Sequence, residues 1–136
     1  MSEESGEKRS LRAAMEAQRS AVAARLANKP LDNARGEEAL RRLFAVAHRD
    51  SGQPKRIAKF LLGLYNGDRF PFDLTDLRGL DGELFDDCLL VLRMDFWCDR
   101  EVHRYFEDGG AKFEALAEDW GIVDHVKLAR SAKEAQ

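Results

Sequence analysis

Apolar residues recur every three or four positions along most of the chain, which is the spacing of one face of an α-helix. In the first such segment, residues 8–27, the apolar stripe consists of Leu11, Met15, Val22 and Leu26, with alanines beside it. Alanine buries little area, so we expect this helix to need a further surface to lie on. The pattern predicts an N-terminal helical arm.

Residues 28–36, NKPLDNARG, interrupt this periodicity with Pro30, two asparagines and Gly36. Proline lacks the N–H group that a helix interior uses, and glycine and asparagine favour turns. We therefore predict a turn or linker. It divides the chain into an arm with its linker, residues 1–35, and a domain, residues 36–136.

Helical periodicity returns in the domain and continues almost to its end. The helices that it predicts cover residues 37–49, 55–65, 83–97, 99–110, 111–122 and 124–133. Residues 83–97 are apolar on several sides, which predicts a central helix wrapped by its neighbours. No segment alternates with the two-residue period of a strand. The sequence thus predicts an all-α fold, a compact bundle of about five or six helices with an N-terminal helical arm.

Residues 64–87, LYNGDRFPFDLTDLRGLDGELFDD, concentrate aspartates and glycines between two predicted helices. A calcium-binding loop needs an oxygen ligand five positions before its invariant glycine, and both possible registers place a leucine there. Neither phosphate-binding motif, GxxxxGK[ST] or GxGxxG, is present. We predict a connector held against the core by Phe70 and Phe72.

The motifs FLLGLYNGDRFPFDLTDLRGLD, VLRMD and EVHRYF resemble a small uncharacterised domain family of proteobacteria that is often carried on plasmids and integrated mobile elements. The resemblance covers roughly residues 38–122 and leaves the arm outside. No catalytic residues are assigned in that family. The resemblance therefore implies a mobile-element accessory protein and no particular chemistry.

Composition indicates a globular protein, with 44% hydrophobic and 35% charged residues. No apolar run is long enough to span a bilayer, and the polar N-terminus does not resemble a secretory signal. The two cysteines, Cys88 and Cys98, are too few for a disulfide scaffold and lie in or beside an apolar segment. We expect a reduced, cytoplasmic protein.

Candidate chemistry is sparse. The histidines His48, His103 and His125 lie on separate predicted helices or helix ends, without metal-ligand spacing. Cys88, Cys98 and His103 could gather around zinc, but a fourth ligand is missing. We assign no catalytic residue, no metal ligand and no cofactor, and expect a non-enzymatic protein.

Charge is unevenly distributed. Residues 1–70 hold 14 Lys/Arg against 9 Asp/Glu, a net charge of +5, whereas residues 71–136 hold 8 against 16, a net charge of −8. An acidic surface could occupy the phosphate site of a basic, nucleic-acid-binding protein. Together with the resemblance to a mobile-element family, this charge leads us to expect a protein partner and an anti-CRISPR-like inhibitor, which would occlude a nucleic-acid-handling complex of the host, such as one of host defence, or of a competing element. The candidate acidic face consists of Asp86, Asp87, Asp95 and Asp99.

Nucleic acid is the alternative partner. Two predicted helices, residues 37–49 and 55–65, have the spacing of a helix-turn-helix, although such pairs are common in α-helical domains. Lys55, Arg56 and Lys59 would decorate the start of the second helix, where a recognition helix contacts DNA. A DNA-binding accessory regulator is the corresponding hypothesis.

The arm supports a third hypothesis, a homo-oligomeric structural or adaptor protein. Its stripe, Leu11, Met15, Val22 and Leu26, could dock on a second copy, on a different protein, or on its own domain. On the sequence alone, docking on another molecule is about as compatible as packing on its own domain or fraying of the helix.

Overall fold

A computed structural model describes residues 2–50 and 52–135, and this part of the chain contains helices and no strand. The α-helices are α1 (Ser2–Val46), α2 (Gly52–Tyr65), α3 (Gly82–Phe96), α4 (Gly109–Asp119) and α5 (His125–Glu134). Two short 3-10 helices, Leu74–Gly79 and Val102–Tyr105, precede α3 and α4. The predicted all-α fold is confirmed.

Helix α1 runs without interruption through 45 residues, so the turn predicted at residues 28–36 is wrong. Pro30 lies inside the helix and removes one backbone hydrogen bond. Contacts with the domain support α1 at this point, because Lys29 Nζ donates to Asp99 at 2.6 Å and Asn33 Nδ2 donates to the same carboxylate at 3.1 Å. Local turn propensity is therefore overridden by tertiary contacts.

The most extensive helix–helix contact in the fold joins α1 to α3. Arg42 pairs with Asp87 near the start of α3, whereas Lys29 pairs with Asp99 beyond its end, so the two helices are antiparallel. At Gly36, α1 and α3 approach each other closely. The glycine therefore allows the two helices to pack, whereas the sequence suggested that it would break the helix.

The hydrophobic core lies where the last turns of α1 meet α2, α3 and α4. Leu40 and Leu43 of α1, Ile57 of α2 and Phe113 of α4 are completely buried there. The ring of Phe44 stacks on that of Phe113 with centroids 5.3 Å apart. These positions match the predicted inward faces, since their spacing follows the helical period.

The prediction that residues 83–97 form a central, wrapped helix is wrong. Helix α3 packs mainly against α1, so only one of its sides is covered. The buried residues of α3 are Cys88, Val91 and Met94. The exposed large apolar residues of α3 are Leu89, Leu92 and Phe96.

The predicted connector is confirmed for residues 66–81, whereas residues 64–65 belong to α2 and residues 82–87 to α3. Phe70 is buried, and the ring of Phe72 meets that of Phe60 edge to face with centroids 5.6 Å apart. These two phenylalanines hold the connector against α2 while its 3-10 helix leads into α3.

Candidate functional site

The most unusual surface is the N-terminal part of α1. Every residue from 6 to 28, hereafter the projecting segment, is exposed. At about 1.5 Å per residue it is about 35 Å long. Its apolar stripe is open to solvent, with Leu11 64% exposed and Leu26 55% exposed. No helix in the described part of the chain, α1 included, is long and apolar enough to cross a bilayer.

The apolar stripe points towards the side of α1 on which α3 lies. Leu11 and Lys29 are five helical turns apart at about 3.6 residues per turn, so their side chains point in the same direction. Lys29 reaches Asp99, which follows the end of α3, and the guanidinium of Arg25 lies 5.2 Å from the ring centroid of Phe96. The stripe therefore begins where α3 ends and continues the packing face of α1 without a partner helix.

A second apolar surface lies on α3 next to the base of the projecting segment. Leu89, Leu92 and Phe96, spaced three and four residues apart, form what we call the outer face of α3, and Phe96 is 69% exposed. A shallow groove of about 380 Å³ runs along this face and is bordered by Arg25. The structure thus leaves two apolar helix faces open, the stripe beyond the end of α3 and the outer face on α3 itself.

Two of the four aspartates proposed as an acidic face are engaged inside the molecule. Arg42 holds Asp87 with both nitrogens of a fork, Nε at 3.1 Å from Oδ2 and Nη2 at 2.9 Å from Oδ1. Asp99 accepts from Lys29 and Asn33, and the hydrogen bond from Lys29 lowers the pKa of its carboxyl group. A partner that bound either carboxylate would therefore compete with these internal bonds.

The other two aspartates lie on opposite sides of α3. Asp86 and Asp95 are separated by about two and a half turns. Asp86 is exposed, whereas Asp95 is partly buried, and burial, with Glu101 nearby, raises the pKa of the Asp95 carboxyl group. The structure therefore does not bring the four predicted residues onto one face.

A small cluster that the sequence did not indicate forms around Asp95. One ligand atom each of Asp95, Cys98 and Glu101 lies within 4.8 Å of the others. Burial and the two neighbouring carboxylates raise the pKa of the Cys98 thiol, which disfavours the thiolate that binds metals. Cys88, considered for zinc on sequence grounds, is buried in the core, and burial raises the pKa of its thiol to about 12.

The cations proposed to contact nucleic acid lie on the first turns of α2, beside acidic residues of the connector. Lys59 Nζ is 3.9 Å from Asp76. The guanidinium of Arg56 lies over Gly79, where an added Cβ would be 2.6 Å from it. Lys55 is exposed and borders the same groove as Asp73. Nearby carboxylates therefore offset much of the positive field of this group.

A polar network centred on Arg69 was not predicted. Both oxygens of Glu114 accept from Arg69 at 2.7 Å, and Asp124 accepts from its Nε at 2.8 Å. The Tyr65 hydroxyl donates to the same Glu114 carboxylate. Because these residues are far apart in sequence, no local pattern could have revealed the network, which ties the connector to α4 and α5.

His103 lies beside this network without joining it. Its ring stands edge-on to that of Tyr65 with centroids 5.1 Å apart, and its Nδ1 atom is buried without a hydrogen-bond partner. The His103 ring contacts the aromatic rings of Tyr65 and Phe113, so this residue forms part of a packed junction between helices.

A family model matches residues 37–121, which comprise most of the folded domain, and its description is a family of unknown function, DUF7673. The chain therefore belongs to this family. No curated protein and no solved structure matches the chain. The match begins just after Gly36, so the projecting segment lies outside the matched region.

Proposed function

We propose that the protein acts by binding another protein, without catalysing a reaction, and that the projecting segment of α1 is its contact element. One observation carries this proposal: an apolar stripe whose side chains are 42–64% exposed lies along the projecting segment, which is about 35 Å long. Exposed apolar surface of this extent is typical of interaction sites, and amphipathic helices bind by laying such a stripe into a groove.

The stability of the projecting segment supports the same proposal. Isolated helices are marginal in water, and most helices in proteins are stabilised by packing an amphipathic face. The projecting segment has such a face but packs it against nothing in the described part of the chain. A partner that covers Leu11, Met15 and Val22 would supply the missing stabilisation.

A narrower proposal concerns the role of binding. The motif resemblance supports an accessory protein of a mobile element, and the acidic half of the chain supports inhibition of a nucleic-acid-handling complex by occlusion. Of the four aspartates, Asp86 is exposed without an ion pair among the described side chains, and Glu83 and Asp81 are exposed near it. This end of α3 is the part of the acidic surface that remains open to a basic partner.

The experiment for the main proposal is capture from host lysate with the tagged full-length chain, before and after nuclease treatment. The wild type is compared with a Met15→Glu/Val22→Glu variant, which alters only exposed positions. We expect proteins that survive nuclease and are lost with the variant. Equal recovery by both chains would refute the role of the projecting segment, and recovery of nucleic acid alone would favour the regulator hypothesis.

The acidic candidate needs a separate variant, Glu83→Gln/Asp86→Asn, because replacing Asp87 or Asp99 would also disrupt the fold's own ion pairs. Binding through this surface should weaken in the variant and with rising salt. An affinity that is unchanged by both would exclude occlusion by the acidic end of α3.

A further inference from the structure

The apolar stripe of the projecting segment continues an interface that the fold already contains. Within the domain, the same face of α1 is covered by α3, in the most extensive helix–helix contact of the structure. Beyond the end of α3, this face carries Leu11, Met15, Val22 and Leu26 and is open. The stripe spans about 22 Å, and the 15 residues of α3 also span about 22 Å. A helix as long as α3 would therefore cover the stripe completely.

The ion pairs of the covered interface show which charges α1 meets there. Arg42 pairs with Asp87 of α3, and Lys29 pairs with Asp99, which follows the end of α3. In both pairs the cation belongs to α1 and the carboxylate to the element that covers it. Helix α3 carries four Asp/Glu and one Arg, a net charge of −3. The structure thus contains one example of the helix that this face of α1 accepts, and that helix is acidic.

The open part of the face has the cations without the carboxylates. The projecting segment carries five Lys/Arg and two Glu, a net charge of +3. At about 3.6 residues per turn, Arg12 and Arg19 lie along one edge of the stripe, and Arg25 lies along the other. None of these three arginines forms an ion pair within the described part of the chain. Both edges of the stripe are therefore complementary to carboxylates.

The alanine content of the projecting segment favours a helix over a lipid surface as the occupant. Helices that lie on membranes usually carry Trp, Phe and Leu on their apolar side. The projecting segment has seven alanines and no aromatic residue. Small side chains allow two helices to approach closely, as Gly36 does where α1 meets Met94 of α3. The stripe therefore suits the surface of a second helix better than acyl chains.

Resting on the proposed function, we infer that the partner of the projecting segment presents an acidic amphipathic helix of about four turns. Its apolar side lies on the stripe, in line with α3, and Asp or Glu residues on its edges pair with Arg12, Arg19 and Arg25. Exposed ion pairs contribute little each, so the apolar contact supplies most of the affinity and the charges select the partner. Glu83 and Asp86 lie at the opposite end of α3 and take no part in this contact.

Two designed peptides test the inference against the full chain. Each has about 16 residues with leucines at the spacing of one helix face, and the residues beside the leucines are glutamates in one peptide and lysines in the other. Binding is measured by fluorescence anisotropy of the labelled peptides. We expect the acidic peptide to bind the wild type about tenfold more tightly, because two or three ion pairs replace repulsions. Equal affinity for the two peptides, or no binding of the acidic one, would overturn the inference.

Two variants separate the apolar and the charged parts of the contact. Met15→Gln/Val22→Gln keeps the net charge and introduces good helix formers, but it removes apolar surface, so it should weaken binding of the acidic peptide by about tenfold. Arg12→Glu/Arg19→Glu keeps the stripe and should reverse the preference towards the basic peptide. Undiminished binding by the glutamine variant would show attraction by charge alone, which contradicts the inferred apolar contact.

The matched control is Arg9→Glu/Arg35→Glu, which changes the net charge by the same amount as Arg12→Glu/Arg19→Glu. Both control arginines are exposed and lie about half a turn around α1 from the stripe. This variant should still prefer the acidic peptide. If it reverses the preference as well, the overall charge of the chain decides binding and the edges of the stripe do not, and the inference fails.

Other occupants of the stripe give different results. A wild type that sediments near twice 15.4 kDa, and near 15.4 kDa after Met15→Gln/Val22→Gln, would identify a second copy as the occupant. Binding to vesicles of phosphatidylcholine and phosphatidylserine that is lost in the same variant would identify a membrane surface. Either result would overturn the acidic helix as the occupant.

The outcomes also separate this inference from the proposed function. A wild type that does not bind the acidic peptide but still captures a host protein through Met15 and Val22 would refute only the acidic helix as the class of partner. A wild type that fails to bind the peptide and whose capture of proteins is insensitive to these residues would refute both.

Discussion

Gly36 of α1 lies directly against Met94 of α3: a Cβ placed on Gly36 would be 2.3 Å from the Met94 Cβ and 2.8 Å from its sulfur. Because a Cβ is fixed to the backbone, rotation of the methionine side chain cannot relieve this contact. The distance between the two helices is therefore set by the absence of a side chain at position 36.

Replacement of Gly36 by alanine should destabilise the fold by about 1–3 kcal/mol, the usual effect of overpacking a core. Thermal or denaturant unfolding of the full chain measures this. Gly110→Ala is the control, since a Cβ there meets nothing within 4 Å. An unchanged midpoint for Gly36→Ala would show that α1 and α3 are not in close contact.

Glu114→Gln should lower stability at neutral pH by about 1 kcal/mol, because a 43% exposed ion-paired carboxylate contributes modestly. The hydrogen bonds from Arg69 lower the pKa of Glu114 below its ordinary 4.5. Its stabilising effect is therefore present above pH 4.5 and lost as pH falls through the folded-state value. Unfolding curves of wild type and variant should converge in acid, while Glu118→Gln on the same helix stays close to wild type at every pH.

Asp95→Asn should raise stability at neutral pH, in contrast to Glu114→Gln. Burial raises the pKa of Asp95 above its ordinary 3.8, so the folded state holds a proton more firmly than the unfolded state. Wild-type stability therefore falls as pH rises through the interval between the two values. The variant should be more stable than the wild type at pH 7 and equal to it well below pH 3.8. A variant that is less stable at pH 7 would contradict the burial of this carboxylate.

Asp99→Ala should loosen α1 around Pro30. The Asp99 carboxylate holds both Lys29 and Asn33, and these contacts support the turn of helix that proline weakens. Amide hydrogen exchange should accelerate in residues 26–33 and stay unchanged in α4. Asp119→Ala, which alters an exposed aspartate at the end of α4, serves as the control, and equal exchange in both variants would refute the anchoring role.

Lys55→Ala/Lys59→Ala should weaken duplex DNA binding at low salt by less than tenfold, because Asp76 lies 3.9 Å from Lys59 and competes with phosphate for it. The comparison variant is Arg12→Ala/Arg19→Ala, which removes two exposed arginines of the projecting segment. Its DNA binding, measured in the same way, shows how much that segment contributes. A tenfold loss of binding in the α2 variant would restore the helix-turn-helix hypothesis.

The sequence by itself determined the helical class and most inward-facing positions. Leu40, Ile57 and Phe113 recur at helical spacing with their neighbours, and burial of apolar side chains makes that spacing a reliable indicator of a helix face. The connector was also predictable, because Phe70 and Phe72 are large apolar residues within an otherwise turn-forming stretch.

Tertiary structure decided the rest. Pro30 and Gly36 favour a turn locally, yet Lys29, Asn33 and the close approach of α3 hold this region in one helix. Which apolar face of α3 is covered depends on how many helices surround it, and spacing alone cannot supply that number. The same holds for the aspartates, since an ion pair such as Arg42–Asp87 joins residues that only the folded chain brings together.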